Sequence, residues 1–177
     1  MKKRILISIG AICIVLFATI VMIAQNQAIN VPATSFFAED MSDDWQVAWG
    51  GWGDFIWRQT GATENYAIAP VYLPDSVLIR NIRAHFIDNN ALNASIGITA
   101  TNKYTADHDT IFMVTTSGES SAVRYLTDYS PLTPGQALTN TGSLAWHAFI
   151  SYTGTDTGGS AATFKFFGLT IEFIPYP

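Results

Sequence analysis

Along residues 93–101 the side chains change sides at every step. Ala94, Ile96, Ile98 and Ala100 fall one way, and Ser95, Gly97 and Thr99 the other. Residues 142–152 do the same, with Leu144, Trp146, Ala148, Ile150 and Tyr152 against Ser143, Ala145, His147 and Ser151. A period of two belongs to a strand with one face on a core and one in water, and a helix does not accommodate it. Val77–Asp88 also alternates, dividing Leu78, Arg80, Ile82, Ala84 and Phe86 from Val77, Ile79, Asn81, Arg83, His85 and Ile87. In residues 162–174 the phase slips: Phe164 and Phe166 share one parity, while Phe167, Leu169, Ile171 and Phe173 take the other. One extra residue flips all later side chains, so a β-bulge is predicted near Phe166-Phe167-Gly168. Asp88-Asn89-Asn90 reads as a hairpin turn, because Asn and Asp tolerate left-handed backbone. Pro131 and Pro134 exclude a central strand from 130–141, and the Gly- and Thr-rich stretch 153–160 reads as a loop. Short strands at this spacing, without helical periodicity beyond Trp45, predict an all-β fold: an antiparallel two-sheet β-sandwich, jelly-roll-like.

The N-terminus carries a different signal. Lys2, Lys3 and Arg4 precede residues 5–24, which hold no charge. Basic residues ahead of an apolar run retain the N-terminus inside and send the following chain across the membrane. A signal peptide cut after Ala24 or Ala28 is one reading, although Met22 and Asn26 at the −3 positions fit the small-residue rule poorly. An uncleaved hydrophobic helix that anchors the protein in the membrane is the other, since 20 apolar residues reach across about 30 Å of hydrocarbon. A lipoprotein is disfavoured by Ile12 ahead of Cys13. The expected organisation is thus 1–28 as signal peptide or anchor, 29–44 as an acidic lead-in with one short edge strand, and 45–177 as the sandwich, secreted or tethered outside the cytoplasm.

Charge narrows the partners. Without residues 1–28 the chain keeps six basic against fourteen acidic side chains, which excludes nucleic-acid binding through a basic patch. Cys13 is the single cysteine, so no internal disulfide forms. With 49% hydrophobic residues the chain is not a disordered one.

Ala69-Pro70-Val71-Tyr72-Leu73-Pro74-Asp75, an apolar strand, and then Phe86-Ile87-Asp88-Asn89-Asn90 resemble the APV-x-LP-(D/H)-G-A…Y-x-DN stretch of a group of mostly uncharacterised secreted bacterial β-sandwich proteins. The likeness continues through Met113-Val114-Thr115-Thr116-Ser117-Gly118 and closes with Phe167-Gly168-Leu169-Thr170-Ile171-Glu172-Phe173, similar to that group's YGV-x-IEY final strand. It spans roughly residues 66–175. The resemblance implies a sandwich in an extracytoplasmic setting and no particular reaction. Ser76 stands where that group carries Gly.

Residues 45–57 gather Trp45, Trp49, Trp52 and Trp57. Exposed Trp faces stack on sugar rings or seat a protein partner; the same rings equally fill a core, with Trp45, Val47 and Trp49 on one strand face. Acidic groups occur at Glu39-Asp40, Asp43-Asp44, Asp54 and Asp107-His108-Asp109. Calcium binding would favour Asp107 and Asp109, though no EF-hand spacing is present and solvated acidic loops explain the composition as well. His85, His108 and His147 are scattered, without a zinc motif. Ser117-Gly118-Glu119-Ser120-Ser121 is no nucleophile elbow, and no carboxylate pair is fixed by spacing. An enzyme is the least supported class. The expected function is surface contact by a noncatalytic exported protein, either with itself as a homo-oligomer or with an envelope protein. The alternative is a carbohydrate-binding module whose glycan stacks on the Trp45–Trp57 cluster, and a secreted hydrolase comes last.

Overall fold

Among the described residues eleven strands, all paired antiparallel, form two sheets. A computed structural model describes residues 26–38, 44–48, 54–60, 66–129, 139, 142–154 and 162–176. The apolar N-terminal run, Cys13, Trp49 and Trp52 lie outside these residues. Among the described residues no helix is long and apolar enough to cross a membrane.

The strands are β1 (Gln27–Pro32), β2 (Phe37–Ala38), β3 (Asp44–Ala48), β4 (Phe55–Thr60), β5 (Tyr66–Val71), β6 (Val77–Asp88), β7 (Ala94–Asn102), β8 (His108–Thr115), β9 (Ser120–Asp128), β10 (Leu144–Tyr152) and β11 (Phe164–Pro175). One sheet has the order β3-β4-β11-β6-β9, with β1 also on β11; the other runs β2-β5-β10-β7-β8. Among the described strands, β3–β4 and β7–β8 are the consecutive pairs that hydrogen-bond to each other, and every other connection changes sheet. This alternation between layers gives the sandwich its jelly-roll-like path.

β7 and β10 follow the period-two pattern. Ala94, Ile96, Ile98 and Ala100 pair with Tyr152, Ile150, Ala148 and Trp146 inside the same sheet, all buried. The opposing layer contributes Ile82, Phe86, Phe164, Phe166, Leu169 and Ile171, each at most 1% exposed. A fully buried side chain of this size contributes about 1.5–3 kcal/mol.

The bulge in β11 falls where the parity slip places it, between Phe166 and Gly168 opposite β6. Phe166 stays in the core against the Phe36 ring at 5.0 Å. Phe167 turns outward to a second cluster with Phe55 and Trp57. Gly168 adopts φ +143 opposite Pro32, the last residue of β1. A Cβ there would meet the Val31 carbonyl oxygen at 2.8 Å, so only glycine lets β1 lie so close.

Three expectations need correction. β6 carries its own register shift, because Asn81 pairs with Glu172 but Ile79 with Phe173. Arg80 is the extra residue, so Val77 and Ile79 share the inner face with Ile82, Ala84 and Phe86, and Leu78 lies half-buried outside. Asp88-Asn89-Asn90 is not a hairpin turn: it carries the chain from β6 in one sheet to β7 in the other. The Asn90 Oδ1 still accepts the Leu92 N–H, so the local turn chemistry is as expected while the next strand's partner differs. Finally, residues 27–38 are more than a lead-in. β1 pairs with β11 over six positions and β2 with β5, so residues 27–32 and 37–38 are strands of the sandwich.

Candidate functional site

The outer face of the β2-β5-β10-β7-β8 sheet carries a cleft of about 590 Å³. Register aligns its lining in cross-strand rows. Tyr66, Ser151 and Ser95 stand opposite one another on β5, β10 and β7 at one end. The next row is Ile68, Phe149, Gly97 and Met113 across β5, β10, β7 and β8. His147, Thr99 and Thr110 follow, and then Thr101 opposite His108. All except Gly97 line the cleft.

Two local devices shape it. Gly97 has no side chain, and the Phe149 ring lies over that gap. A Cβ on Gly97 would approach the ring at 2.8 Å and collide with the Phe112 carbonyl oxygen. Phe149 is therefore a floor, only 8% exposed, flanked by the 41% exposed Tyr66 at a ring separation of 6.4 Å. On β8 a register shift makes Ile111 the extra residue, since Ile98 pairs with Phe112 but Thr99 with Thr110. Ile111 and Phe112 both go into the core, leaving Thr110 and Met113 on the cleft side. The Met113 N–H on β8, the last strand in the described order of its sheet, donates to Asp128 Oδ2 of β9 at 3.1 Å, latching that wall to the other sheet.

The cleft offers hydroxyls from Ser95, Thr99, Thr101, Thr110, Ser151 and Tyr66, imidazole nitrogens from His108 and His147, and apolar faces between them. Among the described residues none that lines it is Asp, Glu, Lys or Arg. His147 and His108 sit on β10 and β8 with β7 between them. Hydrogen-bonding groups around aromatic faces can both bond and stack on a hydroxyl-bearing ligand.

The aromatic cluster singled out in the sequence lies elsewhere. Trp57 is 8% exposed, packed with Phe55 and Ala162 at a ring separation of 5.8 Å from Phe55. Trp57 is not among the residues that line the cleft. Trp45 is half-buried and, with Val47, packs against the main core. Trp49 and Trp52 fall outside the described residues. Asp107 and Asp109 are exposed at the β7–β8 turn, where the Asp107 carbonyl accepts the Asn102 N–H. Among the described residues no three His, Cys, Asp or Glu side chains gather to hold a metal.

On the opposite sheet, His85 lies 6.3 Å from the Tyr125 ring, and the Arg83 guanidinium stands over that ring at 5.4 Å. Burial, and then the neighbouring Arg83 charge, push the His85 imidazole below its ordinary range. The buried Arg58 donates from Nη1 to the carbonyls of Tyr152, Thr153 and Gly154, tying β4 to the end of β10.

Sequence reasoning missed the cleft, because Ser, Thr and His on alternate positions read as an ordinary wet face. The available signal was apolar residues out of phase: Phe149, Ile68 and Met113 all occupy outward positions.

A scan against protein-family models gives no match, and a search of curated proteins gives none. Solved structures do resemble the chain. One, described as "xylan-binding module CBM15", has a TM-score of 0.49 and 13% identity over 86% of this chain and 100% of that one. A xylan-binding domain from CBM 22 has a TM-score of 0.43 and 11% identity, over 86% of this chain and 88% of that one. The CBM22-1–GH10 modules of Clostridium thermocellum endo-1,4-beta-D-xylanase 10B, complexed with xylohexaose, give 0.47 and 11% identity, over 84% of this chain and 28% of that one.

Proposed function

We propose that this chain is an exported, noncatalytic glycan-binding module that holds an uncharged carbohydrate in the cleft of its five-stranded sheet. The observation that carries the reading is the lining itself. It presents hydroxyls and imidazoles around the Tyr66–Phe149 pair, and among the described residues no Asp, Glu, Lys or Arg lines it. Sugars present an apolar ring face together with several hydroxyls, and such a cleft answers both. Export is supported by Lys2, Lys3 and Arg4 ahead of the uncharged residues 5–24. In this reading the aromatic platform is Tyr66 and Phe149 rather than the tryptophans of residues 45–57.

Affinity electrophoresis and calorimetry of the full chain against neutral polysaccharides test it. Tyr66→Ala is expected to weaken binding about tenfold, the ordinary worth of an aromatic contact, and the sugar is recovered uncut. Retention of full affinity by Tyr66→Ala overturns the cleft as the site.

Contact with itself or with an envelope protein is the second reading, favoured by Val123 and Tyr125, both exposed on β9 of the other sheet. Sedimentation velocity tests it: a Val123→Asp change is expected to dissociate any homo-oligomer, and a monomer at all concentrations rejects self-association.

A further inference from the structure

Residues 66–73 alternate without a break, with Tyr66, Ile68, Pro70 and Tyr72 outward and Ala67, Ala69, Val71 and Leu73 buried. Pairing of β5 with β10 ends at Val71 opposite Trp146. Tyr72 therefore continues the outer face one step past the last pair. Extending that register by one residue would bring Tyr72 opposite Ala145, in the row of Thr101 and His108 at the far end of the cleft. The ring is 85% exposed, and Tyr104, 82% exposed, stands at the same end in the β7–β8 turn.

The chain beyond Tyr72 is fixed in place. Buried Thr139 donates its hydroxyl to the Pro74 carbonyl at 2.8 Å and its N–H to the Val77 carbonyl at 2.9 Å, while its own carbonyl accepts the Ser76 N–H. An exposed tyrosine next to a clamped backbone is ready to receive a ligand at little ordering cost. From Tyr66 to Tyr72 is about 20 Å at strand rise, and the lining on β7 from Ser95 to Thr101 runs the same length. That exceeds the breadth of a single sugar ring.

Building on the glycan-binding reading above, we propose that the ligand is a linear, uncharged polysaccharide laid along the strands, and that Tyr72 is a stacking position for it at the end opposite Tyr66. Oligomers too short to span the cleft, seated on Tyr66 and Phe149, do not reach Tyr72, and longer ones gain its contact.

The test is calorimetric titration of the full chain with soluble linear β-1,4-linked glucose, xylose and mannose oligomers of increasing length. Affinity is expected to rise with length. Tyr72→Ala is expected to lose about tenfold against long oligomers and nothing against short ones, with Tyr72→Phe close to wild type. Circular dichroism checks that the exposed truncation leaves the fold intact. No loss with Tyr72→Ala, or the same loss at every length, overturns the Tyr72 stacking position while binding that depends on Tyr66 survives. Failure of the wild-type chain to bind at any length overturns both readings.

Discussion

Replacing Gly97 by Ala tests whether the cleft floor is built as described. Gly97 lies in the middle of β7, between β10 and β8, and its missing side chain is what Phe149 covers. An added Cβ meets the Phe112 carbonyl oxygen, which is backbone, and the Phe149 ring at 2.8 and 2.9 Å. Forcing a methyl into such a place costs about 1–3 kcal/mol. The backbone collision puts this site near the top of that range. Alanine recovers about 0.5–1 kcal/mol because it loses less chain entropy than glycine in a strand. The net loss is about 2 kcal/mol, which for a chain of this size lowers the melting temperature by roughly 4–8 °C. Calorimetric melting of Gly97→Ala, Phe149→Ala and the double variant completes the assay. Part of the collision is with the ring, so the double variant should be about 1 kcal/mol more stable than the sum of the two losses predicts. Additivity within about 0.5 kcal/mol means the ring does not sit on Gly97. An unaltered melting temperature in Gly97→Ala refutes the close approach altogether.

Three further outcomes follow from the geometry. Gly168→Ala combines a positive φ with a 2.8 Å contact to the Val31 carbonyl oxygen, so it should cost about 3 kcal/mol in chemical denaturation and raise exchange of the β1 amides first. Ser76 holds φ +55, a left-handed conformation that glycine adopts without penalty; Ser76→Gly should therefore stabilise by about 0.5 kcal/mol, read as a higher urea midpoint. The His85 imidazole is lowered in the folded state, so at acid pH the unfolded chain binds the extra proton more readily. Stability should be unaffected by this group above the ordinary histidine range and fall as pH drops through it, and His85→Gln should flatten that fall in melts taken between neutral and acid pH.

The readable parts of the fold were those where one side-chain pattern had one meaning. β7 and β10 place Ala, Ile, Trp and Tyr inward at every second residue, and nothing competes with that reading. The β11 bulge was legible because four residues, Phe167, Leu169, Ile171 and Phe173, leave the parity of Phe164 and Phe166. The β6 bulge was not, since Leu78 and Ile82 are both apolar and in phase, and Arg80 between them looks like a strand residue of either face. Asp88-Asn89-Asn90 announces a turn but carries no information on whether the next strand pairs with the last or crosses to the other layer. Tryptophan density drew attention to residues 45–57, yet a ring has no preference for a ligand over a neighbour, and Trp57 found Phe55. The cleft depends on which strands lie side by side, a relation that sequence-local patterns do not encode.

β1 lies antiparallel on β11 with Gln27 opposite Phe173, so the polypeptide enters the domain beside the point where it leaves. Tension applied between those two points would peel the first strand from the last one rung at a time instead of breaking all rungs in shear, making this seam the mechanically soft part of the molecule. The same closeness invites circular permutation: a short connector would join the two, and new termini would open at the exposed 103–105 turn.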